Sequence, residues 1–133
     1  MSETPMPDRR LSTTQSVRIG GHRIHMTVGF YDEACTQVGE IFLSIARTGG
    51  QERALLDEIA RSASKRLQRG EPLAELAESW LGTKLLPYGI VEGDARIKLC
   101  SGPLDWAGRH LLIFYAGRED LAHAPAPIEE TTL

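Results

Sequence analysis

The chain has 133 residues and a mass of 14.7 kDa, enough for one compact core and too little for two that would each be stable alone. Hydrophobic residues at 41% and charged residues at 25% fit a globular chain and exclude a wholly disordered or collagen-like one. With 15 basic residues against 18 acidic ones, the net charge of -3 argues against a protein built to grip phosphate backbones, so nucleic acid is not an expected partner.

Residues 1–15 are polar, carry Pro5 and Pro7 and show no hydrophobic period, so they read as a flexible lead-in, with order expected from Ser16. Val17 and Ile19 precede Gly20-Gly21, and Ile24, Met26 and Val28 then alternate with His25 and Thr27. That is the period of half-buried strands joined by a tight turn, for which glycine accepts positive φ without a Cβ clash. The run from Val38 to Ala46 alternates again through Ile41, Leu43 and Ile45. From Gln51 to Gln68 the period changes. Leu55, Leu56, Ile59, Ala60, Ala63 and Leu67 recur at steps of three and four, with Glu52, Asp57 and Glu58 early and Lys65, Arg66 and Arg69 late, as a helix dipole prefers.

Pro72 opens a second, shorter helix through Leu73, Leu76, Trp80 and Leu81. Lys84 to Ser101, with Pro87, Gly89 and Gly93, is looser and is expected to hold one short extended piece, near Ile90-Val91 or Ile97-Leu99. A third helix runs from about Leu104 to Ala116, interrupted by Gly108 at a cost of about 1 kcal/mol relative to alanine. Trp80, Trp106, Phe114 and Tyr115 read as core aromatics of the helical layer. Residues 123–133 read as a flexible tail. The expectation is thus one α+β domain over residues 16–122, a small antiparallel sheet of about three strands covered by two or three helices.

No run of about 20 apolar residues and no signal-peptide core is present, which reads as a cytoplasmic, non-membrane chain. Cys35 and Cys100 are far apart with no CxxC, and His22 and His25, three apart in a strand, face opposite ways. No metal site and no cofactor are therefore predicted. Cys100, His110 and Asp105 are the raw material of nucleophilic catalysis, but no spacing supports that use, and Cys100 reads better as a packed thiol. Arg61, Lys65 and Arg69 on the first helix, and Glu71, Glu75 and Glu78 after it, read as solvated faces. A small-ligand site is the functional alternative, drawing on Gly20, Gly21, Arg18, Arg23, Arg96 and Arg109 around a pocket for a nucleotide-like molecule. A sheet covered on one side also leaves an apolar face that a second copy can bury, so a homo-oligomer is expected.

Several strings in order carry a family resemblance: GGHRIHMTVGFYDE, then VGEIFLSIARTGGQERALLDEIARSASKRLQRGEPLAELAESW, then VEGDARIKLCSGPLDWAGRHLLIFYAGREDLAHA. From about Arg10 to His123 the chain resembles the TSCPD domain near the C-terminus of adenosylcobalamin-dependent, class II ribonucleotide reductases. Cys100, Ser101, Asp105 and Trp106 lie at the family-motif positions. Ser101-Gly102-Pro103-Leu104-Asp105 stands for the naming string, with proline in place of its cysteine, so no thiol or metal role of that cysteine is carried over. The cysteine pair that follows this domain in the reductases has no counterpart after Leu121, and the reductase's catalytic barrel is not expected in so short a chain. The resemblance implies a free-standing, non-catalytic binding module, accessory or regulatory to a vitamin B12-dependent ribonucleotide reductase.

Overall fold

A computed structural model describes residues 3–46 and 50–126. Strands β1 (Ser12–Ile19) and β2 (His22–Phe30) form an antiparallel hairpin, β3 (Val38–Ile45) pairs with β2, and helix α1 (Gly50–Gln68) follows. Helix α2 (Leu73–Trp80), strands β4 (Gly89–Glu92) and β5 (Leu99–Cys100), helix α3 (Pro103–Ala116) and a 3-10 turn at Glu119–Leu121 complete the described chain. The sheet has five strands in the order β3-β2-β1-β4-β5, antiparallel throughout, so the architecture is α+β.

The period-2 pattern selects which face is covered. Val17, Ile19, Ile24, Met26, Val28, Ile41, Leu43, Ile45 and Val91 are buried beneath the helices with Leu56, Ala60, Leu76, Trp80, Trp106 and Leu111. The other face is polar over most of its area rather than apolar: Thr14 and Thr27 share a hydrogen bond of 2.9 Å, Ser16 Oγ lies 2.6 Å from His25 Nδ1, and Arg18 and Arg23 stand exposed. Of the exposed large apolar side chains, Leu86, Tyr88, Ile90 and Leu99 collect around β4 and β5, while Leu11, Phe42, Leu55 and Phe114 lie on other elements.

Helix α1 closes the outer edge of the sheet. The Ser64 hydroxyl accepts the Ile41 N–H at 2.9 Å, and the Gln68 amide donates to the Gly39 carbonyl at 3.1 Å. Ile41 and the Gly39 carbonyl, edge groups that would otherwise help template strand addition, are thereby occupied. Helices α2 and α3 pack closely because Gly108 carries no side chain: a Cβ there would lie 2.5 Å from the Ala77 carbonyl oxygen. Gly108 is a packing residue, not an interruption.

Four sequence expectations shift. β1 begins at Ser12, four residues ahead of Ser16, because Ser12 to Gln15 carry no apolar alternation that would announce a strand. The described lead-in is also held, with the Thr4 N–H donating to the Gln68 carbonyl at 2.8 Å and Arg10 paired with Glu40. The segment before α3 holds two short strands rather than one, both too short to show a period. Phe114 is more than half exposed rather than in the core, since Leu111, Leu112 and Ile113 take the inward face of α3. At the C-terminal side, the His123 and Ala124 N–H groups donate to the Arg96 carbonyl at 2.8 and 3.2 Å. The tail expected over 123–133 lies outside the described residues from 127 onward.

Candidate functional site

The hairpin turn is two residues long, with Ile19 opposite His22 and positive φ at both Gly20 (54°) and Gly21 (85°). Only this mirror-image turn matches the strand twist, and glycine adopts it without strain. One step back along the strands, Arg18 and Arg23 face each other directly. Neither makes an ion pair among the described residues, although Glu92 is the register partner of Arg18 on β4. Arg18, Gly21, His22, Arg23 and Ala46 line a hollow of about 400 Å³. A second hollow of about 310 Å³ shares His22 and continues along Gly20, Glu52, Leu86, Pro87 and Tyr88.

Of the four arginines expected around one pocket, these two come together and the other two do not. Arg96 is buried, bonded to Glu119 and to the Ala124 carbonyl at 3.0 Å, and holds the chain beyond α3. Arg109 donates to the Leu121 carbonyl at 3.0 Å and lies 3.6 Å from Asp105. Both are spent on the fold. On α1 Arg61 pairs with Asp57 and Glu58, and just past its end Arg69 pairs with Glu3, all at exposed positions.

A buried polar cluster that sequence reasoning missed lies between the β4–β5 segment and α3. Asp94 Oδ1 accepts the N–H groups of Arg96 and Ile97 at 2.9 and 3.2 Å, while Oδ2 accepts from Trp106 Nε1 at 3.0 Å and lies 3.1 Å from His110 Nδ1. Burial opposes the charge, but the hydrogen bonds from His110, Trp106 and Arg96 outweigh it and bring Asp94 down to about 2. His110, expected near Cys100 or Asp105, thus meets Asp94 and stacks on Phe114 with ring centroids 4.2 Å apart. No period marks Asp94; its signal was the Gly93-Asp94 turn pair.

The family-motif positions are also structural. Asp105 sits in the first turn of α3, where its Oδ1 accepts the Gly82 N–H at 2.8 Å and its Oδ2 the Ser101 N–H at 3.0 Å, tying the ends of α2 and β5 together. Ser101 donates to the Thr83 carbonyl at 3.2 Å. At Gly102 a Cβ would lie 2.5 Å from the Leu85 carbonyl oxygen, so the motif needs a residue without a side chain there. Cys100 is buried, and burial pushes its thiol pKa up, away from the reactive thiolate.

Near β4 and β5, Leu86, Tyr88, Ile90 and Leu99 are each more than half exposed, and Ile90 and Leu99 are directly opposite one another. Lys84, Leu85, Leu86, Tyr88 and Ser101 wall an apolar groove of about 360 Å³ beside them. Among the described residues no group of three or more His, Cys, Asp or Glu is arranged to hold a metal ion, and no helix is long and apolar enough to cross a membrane.

The family model of the TSCPD domain matches residues 2–111, from the lead-in to the middle of α3. The chain belongs to the TSCPD domain family. Vitamin B12-dependent ribonucleotide reductases of Agrobacterium fabrum and Bradyrhizobium diazoefficiens are each 37% identical to this TSCPD domain over 118 residues, 89% of the chain but 9% of the relative's length. That of Rhodopirellula baltica is 27% identical over 115 residues, 86% of the chain and 11% of the relative. The chain therefore spans about a tenth of the length of these relatives. No solved structure matches. Within the TSCPD domain the matched region contains the hairpin, the Asp94 cluster, the Asp105 clasp and the exposed apolar residues of β4 and β5.

Proposed function

We propose that this TSCPD domain is a non-catalytic binding module that works in the cytoplasm as an accessory or regulatory partner of a vitamin B12-dependent ribonucleotide reductase. The observation that carries the reading is the Ile90–Leu99 pair, two large apolar side chains opposite each other and mostly exposed, beside the groove of Leu85, Leu86 and Tyr88. Exposed apolar patches of this kind mark interaction surfaces. Family membership supports the choice of partner, since the similar chains are B12-dependent reductases in which the matched region is one part of a larger polypeptide. The polar clusters of Asp94 and Asp105 support a binding role over chemistry, because their hydrogen bonds are spent within the fold.

The test is binding of the chain to a purified B12-dependent reductase, with turnover measured with and without it. Leu99→Glu and Ile90→Glu, both at exposed positions, are expected to abolish binding while the melting temperature is unchanged. A reductase that neither binds the chain nor responds to it in turnover or nucleotide dependence sinks the reading. A second copy of the chain is the competing occupant, and light scattering of wild type against Leu99→Glu reports it.

A further inference from the structure

We propose that the tip of the β1–β2 hairpin binds a nucleoside di- or triphosphate, with its phosphates on Arg18 and Arg23 and its base against Pro87 and Tyr88. Two hollows at the tip share His22 as a lining residue: a cationic one with Arg18, His22 and Arg23, and an aromatic and apolar one with Leu86, Pro87 and Tyr88. Their volumes, about 400 and 310 Å³, fall in the range of small-molecule sites.

Three features favour this ligand. Like charges directly opposite in an antiparallel pair destabilise a sheet, and Arg18 and Arg23 make no ion pair among the described residues, although Glu92, the register partner of Arg18, lines a hollow of about 220 Å³ with both. Two arginines at facing register positions suit a phosphate chain, which each guanidinium can grip through paired N–H groups. The tip is also held in place: the Gly20 N–H donates to the Ile90 carbonyl at 3.1 Å, and a Cβ at Gly20 would lie 2.7 Å from the Tyr88 carbonyl oxygen. At Gly21 nothing lies within 4 Å of where a Cβ would be, so the cationic compartment stays open. Finally, Glu52 lines the aromatic compartment, where a carboxylate repels an acidic peptide but accepts hydrogen bonds from a ribose hydroxyl or a base amino group.

The site shares Leu86 and Tyr88 with the apolar groove and is therefore tested without a reductase. The full chain is titrated calorimetrically with ATP, GTP, pyrophosphate, adenosine and hexaglutamate. A nucleoside triphosphate is expected to bind, pyrophosphate more weakly and adenosine more weakly still. Arg18→Ala and Arg23→Ala, on exposed positions that do not support the core, are each expected to weaken the triphosphate about tenfold or more. Tyr88→Ala should weaken the triphosphate and leave pyrophosphate unchanged. Circular dichroism confirms that each variant is folded. Flat titrations with both nucleotides, binding undiminished by the arginine variants, hexaglutamate binding tighter than any nucleotide, or pyrophosphate as tight as the triphosphate with Tyr88→Ala silent, each overturns the assignment. None of these outcomes bears on whether a reductase docks at Ile90 and Leu99.

Discussion

Asp94 Oδ2 and His110 Nδ1 lie 3.1 Å apart, both side chains buried, and the pair fastens the segment between β4 and β5 to the middle of α3. With Trp106 Nε1 and two backbone N–H groups on the same carboxylate, four donors converge on one buried anion. An unpaired charge at this depth would be costly, so the cluster holds only as a unit.

Replacing Asp94 with Asn keeps the size but leaves a single acceptor oxygen and turns an NH2 toward groups that are themselves donors. Asp94→Asn is therefore expected to destabilise the domain by about 3 kcal/mol in urea denaturation at neutral pH. A loss below about 1 kcal/mol would show that the donors find other partners.

The same carboxylate sets an acid limit. Its folded pKa, about 2, lies below the ordinary 3.8, so it stabilises the fold wherever it is ionised. That contribution, about 2 kcal/mol, is complete above the unfolded value and is lost as the pH falls from 3.8 through the folded value near 2. The wild type should lose this increment over that window, while Asp94→Asn should not; parallel stability curves for the two proteins would contradict the assignment.

Gly108→Ala distinguishes packing from propensity. In an isolated helix alanine is favoured by about 1 kcal/mol, yet here its methyl would meet the Ala77 carbonyl at 2.5 Å and the Trp80 Cβ at 3.1 Å. A net loss of about 2 kcal/mol is expected, seen as a melting temperature lower by about 8 °C. A rise in melting temperature would mean that α2 and α3 separate without cost.

These cases show where the sequence was readable. β1 to β3 and the three helices announce themselves because each repeats an apolar residue at a fixed step, as Ile41, Leu43 and Ile45 do in β3. β4 buries only Val91 and β5 only Cys100, and a single buried residue has no period. What orders that region is Asp94, a polar residue whose role appears only once α3 is folded against it. At the candidate site, Arg18 and Arg23 were legible as neighbours because a two-residue turn fixes their register, whereas Arg96 and Arg109 sit on elements whose placement depends on the tertiary fold.

Cys100 and Cys35 should differ in reactivity. Cys100 is buried with its thiol pKa raised, while Cys35 is half-buried in the β2–β3 connection. Alkylation of the native protein at mildly alkaline pH is expected to give one adduct, on Cys35, with Cys100 modified only after denaturation. Equal labelling in the native state would place Cys100 at the surface.

The Arg18–Arg23 register pair predicts an inverse relation between stability and binding. Because the two arginines are directly opposite in the register of β1 and β2, Arg23→Thr should relieve like-charge repulsion, supply a better strand former and raise ligand-free stability by about 0.5 kcal/mol. In the presence of saturating nucleoside triphosphate the order should reverse, because a ligand stabilises the fold in proportion to its affinity and the variant has lost half of the phosphate grip. Thermal melts of both proteins with and without triphosphate measure the four values needed. A variant that is less stable than wild type without ligand would show that Arg23 supports the sheet instead of waiting for an anion.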